Sequence, residues 1–131
     1  GVSENFKSEM HNTLLDYERG LITTKKFLVN FNEKFPKISS QKIIDAWNSM
    51  ILDFPEHRLE FIENLALKNK YKLLLLSNTN DLHIDLAFRR WKNTIGQPIH
   101  ESFDKIYLSH EVGLRKPNKE IFKLVCRKII Y

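Results

Sequence analysis

The first fifty residues of the chain carry hydrophobic side chains at helical spacing. Intervals of four, four and three predict an amphipathic helix over residues 2–17, whose apolar stripe consists of Phe6, Met10, Leu14 and Tyr17. The turn Glu18-Arg19-Gly20 ends this helix. Thr23 is expected to cap a second helix, and Ser39 or Ser40 a third. The pattern therefore predicts a small bundle of helices joined by short loops.

Strand signals begin in the middle of the chain. The run from Lys72 to Leu76 is apolar and too short for a buried helix, so it predicts a strand covered on both faces, as in parallel sheets flanked by helices. A second strand is expected over Phe103–Ser109. Helices are predicted from Pro55 to about Asn69 and between the two strands, up to Gly96. This alternation of helix and strand is that of a doubly wound α/β domain.

Four small polar residues follow the first strand directly: Ser77, Asn78, Thr79 and Asn80. In open parallel sheets, ligands bind outside the carboxyl ends of the strands. Hydroxyls, side-chain amides and the unpaired amides at the start of a helix can bind an anion there. The alternative is structural, because Thr79 or Asn80 would cap the next helix well.

Lys116 is the cation that could complete such an anion site. It follows the second strand and a turn at Gly113, and Pro117 is expected to open a helix that continues from Asn118. At the mouth of the same sheet, its ammonium group would hold the anion bound by Ser77. A solvated position is the alternative for any one lysine in a chain with 21 Lys and Arg residues. Taken together, the two segments favour the interpretation that this edge of the sheet forms half of a phosphoryl-transfer site.

These two segments resemble motifs of the haloacid dehalogenase-like (HAD) hydrolases, in particular the subgroup that includes bacterial glucose-1-phosphate phosphatases. Residues 77–83 are similar to the second motif of that family, and residues 106–117 are similar to the third, including its closing Lys-Pro pair. The resemblance implies a partial Rossmann-like core with a parallel sheet. It also implies that the Ser77 hydroxyl and the Asn78 backbone amide hold the transferring phosphoryl group, while Lys116 neutralises charge on it.

The same resemblance implies parts that this chain lacks. The nucleophile of the family is an aspartate at the end of its first strand, and an acidic pair after a later strand helps to bind magnesium. No apolar strand ending in aspartate precedes Ser77, and the candidates Asp16, Asp45 and Asp53 fall in helix-patterned or helix-ending sequence. We therefore expect an internal piece of a longer enzyme, inactive by itself and without metal ligands of its own. Mg²⁺ is expected for the parent protein only.

The helical residues at the start of the chain resemble the cap that this family places over its site. Residues 1–54 are accordingly interpreted as the helical cap, and residues 55–131 as the partial α/β core. Such a cap selects the substrate, so Arg19 is a candidate contact for the part of the substrate beyond the phosphate. The alternative for Arg19 is a surface salt bridge with Glu18 or Asp16.

Composition narrows the possible partners. The formal charge is +5 over 131 residues, and the basic residues are scattered without a run of five or more. A positive cleft would attract a small phosphorylated substrate as well as nucleic acid, so composition does not separate these partners and the two motifs decide for the small substrate. A basic nucleic-acid-binding helical domain stays a third option. The longest apolar runs are far shorter than the roughly 18 residues of a membrane span, and no membrane partner is expected. The single Cys126 cannot form an internal disulfide, which favours the cytoplasm, and it is expected to pack on its helix. The five histidines lack the spacing of a zinc site.

The functional hypothesis is a magnesium-dependent phosphatase of a small phosphorylated metabolite, such as a sugar phosphate, that forms an aspartyl-phosphate intermediate. Hydrolytic dehalogenases of the same family use a related aspartate without metal, so dehalogenation is one alternative. A catalytically dead relative that binds a ligand or partner through the cap is another. The sequence leaves the oligomeric state open.

Overall fold

The computed structural model of the chain describes residues 4–129. Its three N-terminal helices are followed by helices that alternate with two strands. In chain order the elements are α1 Glu4–Glu18, α2 Thr24–Lys34, α3 Ser40–Asn48, α4 Glu56–Lys68, β1 Leu74–Ser77, α5 Asp81–Ile95, a 3₁₀ turn Ile99–Glu101, β2 Lys105–Leu108, α6 Ser109–Val112 and α7 Lys119–Ile129.

The first three helices, called here the helical unit, form as the periodicity predicts, although residues 2 and 3 lie outside the described part. Thr23 caps α2 by accepting a hydrogen bond from the Lys26 amide, and Ser39 caps α3 in the same way. Both caps confirm the predictions. The centre of the unit is aromatic: the Phe27 ring lies 4.3 Å from the Tyr17 ring and 5.4 Å from the Trp47 ring, between centroids.

The two strands pair in parallel, as predicted, with Leu74 opposite Lys105 and Ser77 opposite Leu108. Both strands are shorter than the sequence suggested. Ser77 is itself the last residue of β1 and does not follow the strand. The expectation that β1 is covered on both faces is wrong in this structure, because each of its four residues is only half-buried. Parallel strands end at the same edge of their sheet, so the segments after Ser77 and Leu108 lie side by side.

Helices α4 and α5 pack together against the two strands and supply the core. Leu59 of α4, Trp91 of α5 and Ile99 form the buried cluster, with exposures of 1%, 2% and 5%. Pro55, the predicted first residue of this helix, stands at the N-cap position, and α4 begins one residue later at Glu56. Gly96 ends α5 in a left-handed conformation, as the turn signal indicated.

The last helix begins later than predicted. Pro117 does not open α7; the helix starts at Lys119, and Asn118 accepts a hydrogen bond from the Glu120 amide. A tight turn precedes it, closed by the Asn118 amide donating to the Arg115 carbonyl, and the peptide bond between Lys116 and Pro117 is cis. The turn occupies the residues that the sequence pattern assigned to the first helical turn.

The exposure of Cys126 and the character of the helices bear on two further predictions. Cys126 is exposed on α7, so the expectation that it packs in the interior is wrong. Among the helices of residues 4–129, none combines the length and the apolar character that a membrane crossing requires. The cytoplasmic location predicted from the sequence stays a prediction.

Candidate functional site

The candidate site is the edge of the sheet where both strands end. Ser77 is the last residue of β1, and Ser109 directly follows β2. The Ser109 hydroxyl accepts a hydrogen bond from the Thr79 amide at 2.9 Å and donates one to the Thr79 carbonyl at 3.0 Å. Ser109 is fully buried, so this pair satisfies two main-chain groups that water cannot reach. It joins the two strand ends.

A second bridge brings Lys116 to the same edge. The Asn78 side chain accepts a hydrogen bond from the Lys116 amide at 2.8 Å through Oδ1 and donates one to the Lys116 carbonyl at 2.9 Å through Nδ2. The Lys116 ammonium group donates to the Leu76 carbonyl at 2.9 Å. The lysine thus lies beside the residues on either side of Ser77. The loop of residues 113–118, called here the lysine loop, is held to β1 through these contacts.

Ser77 keeps most of its hydrogen-bonding capacity. Its hydroxyl is 3.4 Å from the Asn78 carbonyl, which is a long contact, and the residue is half-buried. Ser77 and Asn78 also line a cavity of about 580 Å³. The remaining wall is largely apolar and comes from α4, α5 and the segment before α4. The polar groups of the lining come from residues 77–79 and also from Asp53, Arg58 and His83.

The helical unit packs against the start of α5, which follows the sheet edge at Ser77. Trp47 of α3 donates from its indole nitrogen to the Asn80 side chain at 3.2 Å, and its ring stacks on His83 with centroids 4.7 Å apart. The Tyr17 hydroxyl accepts from the Leu82 amide at 3.3 Å. Burial raises the pKa of Tyr17, so the hydroxyl stays protonated and can donate to Thr24 as well.

Hydrogen bonds determine the tautomer of His83. Its Nε2 is 2.9 Å from the Trp47 carbonyl, which can only accept, so Nε2 carries the proton. Nδ1 then accepts from the Asn80 side-chain amide at 3.3 Å. Burial lowers the pKa of His83 below its usual value, and the hydrogen bond to Trp47 and the negative charge of Glu18 oppose that shift only in part. The neutral form of His83 is the one that satisfies both hydrogen bonds of the ring. Asn80, one of the two predicted caps of α5, accepts from the His83 amide.

Arg19 is not brought to the sheet edge by any contact in residues 4–129. Its side chain is exposed, and the salt bridge considered for it with Glu18 is absent there. Glu18 instead pairs with Arg115, at 2.8 Å and 2.9 Å. Hydrogen bonds to Leu76 and Asn78 therefore bring Lys116 to the end of β1, whereas no hydrogen bond or ion pair within residues 4–129 links the Arg19 side chain to these residues.

The described residues were also expected to lack ligands for Mg²⁺. Within the described part of the chain, no three His, Cys, Asp or Glu side chains are grouped so that they could hold a metal ion. Among residues 4–129, the carboxylate paired with His110 is that of Asp81, whose oxygen lies 3.2 Å from Nε2. These residues do not fit a magnesium ion, and its ligands would have to come from elsewhere in the protein.

Sequence reasoning missed three features of this edge. It assigned the Asn78 main chain to the site but not the Asn78 side chain, which holds the lysine loop. It did not single out Ser109, although a small hydroxyl residue directly after a predicted strand is the signal that drew attention to Ser77. It did not pair Glu18 with Arg115, and nothing local in the sequence indicates that pairing.

Two curated proteins similar to this chain are phosphatases. The chain is 26% identical over 86% of its length to D-ribitol-5-phosphate phosphatase from Bacteroides thetaiotaomicron. It is 30% identical over 76% of its length to glyceraldehyde 3-phosphate phosphatase from Methanothermobacter thermautotrophicus. Both relatives are phosphatases by name. Neither concerns glucose 1-phosphate, so that subgroup stays a prediction.

Solved structures similar to this chain include HAD family enzymes. A HAD family enzyme from B. thetaiotaomicron, crystallised as a magnesium complex, superposes with a TM-score of 0.84 at 34% identity over 96% of this chain. A crystal of the wild-type enzyme with magnesium and inorganic phosphate superposes with a TM-score of 0.81. The predicted α/β class is therefore confirmed.

The match covers only part of each relative. The chain spans 54% and 42% of the two curated phosphatases and 63% of the magnesium-bound enzyme. No protein-family model matches the chain.

Proposed function

Because this chain belongs to the haloacid dehalogenase-like hydrolases, we propose that the protein containing it is a phosphatase of small phosphorylated metabolites, in particular sugar phosphates. The observation that carries the proposal is the position of Lys116, whose ammonium group lies 2.9 Å from the Leu76 carbonyl at the end of β1. It is supported by the names of the relatives, which act on a pentitol phosphate and a triose phosphate.

The chemistry follows from the groups at the sheet edge. The Ser77 hydroxyl, which makes no short hydrogen bond, would donate to one oxygen of the phosphoryl group. The main-chain amide of Asn78 would donate to another. Lys116 would bring a compact positive charge against the negative charge that builds on the phosphoryl oxygens during transfer. Its contact with Leu76 holds the ammonium group in place before the substrate arrives, so little reorganisation is needed.

The proposal extends to parts outside the described residues. A nucleophilic aspartate that forms an aspartyl-phosphate is proposed for the whole protein, as is magnesium, which the homologous enzyme was crystallised with. Residues 4–129 contain no ligand set for that metal. Residues 1–54 are proposed as the cap and 55–131 as part of the core. Arg19 remains a proposed substrate contact on the exposed side of the cap turn.

Phosphate release by the full-length protein tests this function. The panel consists of ribitol 5-phosphate, glyceraldehyde 3-phosphate and glucose 1-phosphate, with and without magnesium. We expect turnover of at least one ester, and a loss of about a hundredfold or more in kcat for Lys116→Ala, as for other groups that stabilise transition-state charge. Lys119→Ala, which removes an exposed lysine three residues away, is the matched control.

Three results would contradict the proposal. The first is a wild-type protein that hydrolyses none of the esters but releases halide from 2-haloacids, which would establish the dehalogenase alternative. The second is equal turnover by Lys116→Ala and wild type. The third is a folded wild-type protein that binds the esters without hydrolysing them, which would support the binding module.

A further inference from the structure

The lysine loop has a second anchor, which comes from the helical unit. The Arg115 guanidinium donates to one oxygen of Glu18 twice, through Nη2 at 2.8 Å and through Nε at 2.9 Å. The two residues are 97 positions apart in the sequence. Their side chains are 26% and 24% exposed, so the pair is partly withdrawn from water, and its attraction is less screened than that of a surface pair.

The location of Glu18 makes this pair informative. Glu18 is the last residue of α1, where the helix dipole places partial negative charge, so a carboxylate there is unfavourable without a cation nearby. The adjacent Arg19 does not supply that cation in the described structure. Arg115 supplies it from the lysine loop. The compensation of the Glu18 charge at the end of α1 therefore depends on the position of the lysine loop.

The turn after α1 also touches the start of α6. Gly20 adopts a positive φ of 69°, and a Cβ at that position would overlap the carbonyl oxygen of His110. Main chain thus meets main chain where residues 18–20 approach the segment after β2. The helical unit and the segments after both strands are in contact on the side where Lys116 lies.

Arg115 is joined to Lys116 by a single peptide bond. On the far side of that bond, Asn78 holds the Lys116 amide and carbonyl, as described above. The loop is therefore fixed from the core by Asn78 and from the helical unit by Glu18. The contact with Glu18 therefore restricts motions of the loop that the Asn78 contact alone would permit.

We propose that Glu18 and Arg115 are positioning residues for Lys116. Their ion pair ties the lysine loop to the end of α1, so that the ammonium group stays beside the end of β1. The proposal rests on the proposed phosphatase function for its consequence, because the placement of Lys116 affects turnover only if Lys116 acts on a phosphoryl group. The placement itself is a structural claim that does not depend on activity.

The experiment uses the full-length protein with Glu18→Gln, Arg115→Gln and the double variant. Glu9→Gln is the matched control, because Glu9 lies on the same helix and pairs with Lys34 inside the helical unit. Steady-state kinetics give kcat and KM separately. In parallel, reductive ¹³C-methylation of lysines gives an NMR signal for Lys116, identified by its disappearance in Lys116→Arg.

We expect both single variants to lower kcat by about tenfold to a hundredfold, the scale of an ångström-sized displacement of a catalytic group, with a smaller change in KM. The double variant should be no worse than either single variant, since both remove the same interaction. The Lys116 signal should shift in all three. Glu9→Gln should leave kcat and the signal at their wild-type values.

The proposal is overturned if the variants keep the wild-type kcat and Lys116 signal, even if their melting temperature falls, because the pair would then contribute to folding alone. Additive losses in the double variant would also overturn it. An inactive wild-type protein would instead contradict the proposed function. The NMR comparison would then decide the positioning claim by itself.

Discussion

The side-chain amide of Asn78 pairs with the main chain of Lys116 as one peptide group pairs with another. Oδ1 accepts from the Lys116 amide at 2.8 Å, and Nδ2 donates to the Lys116 carbonyl at 2.9 Å, across 38 positions of the chain. The orientation of the side-chain amide is settled by these partners, since a main-chain N–H can only donate and a carbonyl can only accept. This contact makes Asn78 the structural link between β1 and the lysine loop.

Removal of that link should destabilise the protein. Asn78→Ala leaves the half-buried amide and carbonyl of Lys116 without partners, and we expect the free energy of unfolding to fall by about 1–3 kcal/mol, measured by urea denaturation. Asn64→Ala is the control at an exposed helical position, where alanine should cause no loss. Equal stabilities of the two variants would show that the Asn78 pair contributes nothing net.

Gly20 and Gly96 offer a matched comparison. Both have positive φ, 69° and 86°, but nothing lies within 4 Å of a Cβ built at Gly96, whereas one at Gly20 would overlap the His110 carbonyl oxygen and lie 2.9 Å from its carbon. Gly96→Ala should therefore cost about 1–2 kcal/mol for the left-handed conformation alone. Gly20→Ala should cost about 1–3 kcal/mol more, from overpacking. Thermal and urea unfolding give the difference, and equal losses would mean that the close approach to His110 does not occur.

Ser109 joins the ends of the two strands from a fully buried position. Ser109→Ala removes both hydrogen bonds to Thr79, whose own side chain is buried, so no water can replace them. We expect a loss of about 1–3 kcal/mol or more in the free energy of unfolding. Ser49→Ala, which removes one exposed hydroxyl contact with the Ala46 carbonyl, should change stability far less. A result in the opposite order would contradict the buried bridge.

His83 should make stability depend on pH. Its pKa is lowered in the folded protein, chiefly by burial, so the unfolded chain binds the proton more readily. The stabilisation from neutral His83 is therefore complete above the unfolded pKa of about 6.5 and is lost as pH falls through the folded pKa. A proton on Nδ1 would face the Asn80 amide hydrogens, and Asn80 cannot reverse its side chain without losing Trp47.

The measurement compares pH profiles. Free energies of unfolding are determined between pH 8 and pH 5 for wild type, His83→Asn and His57→Asn, the last an exposed histidine on α4. Carboxylates contribute to all three profiles. The wild-type and His57→Asn proteins should lose more stability below about pH 6.5 than His83→Asn, which lacks the titrating group. Parallel profiles for all three would refute a role for His83.

Local patterns were sufficient for most of the secondary structure. Thr23, Ser39 and Asn80 cap helices as their residue types indicate, because capping involves only neighbours within three positions. The parallel sheet was also predictable, since two short apolar runs separated by an amphipathic helix require a crossover connection. Prediction failed at the ends of some elements. Pro117 suits the first turn of a helix, but the loop that contains it is held in a non-helical conformation by contacts with Asn78 and Glu18.

By itself, the sequence determined the elements, the class of fold and the residue types at the sheet edge, because these depend on spacing along the chain. Only the tertiary structure decided which distant groups meet. Any of the 16 acidic residues was a possible partner for Arg115, and choosing Glu18 required the end of α1 and the lysine loop to be placed together in space. The same holds for Trp47 with His83, and for the exposure of Cys126. Contacts between positions far apart depend on how elements pack, and no local pattern encodes that arrangement.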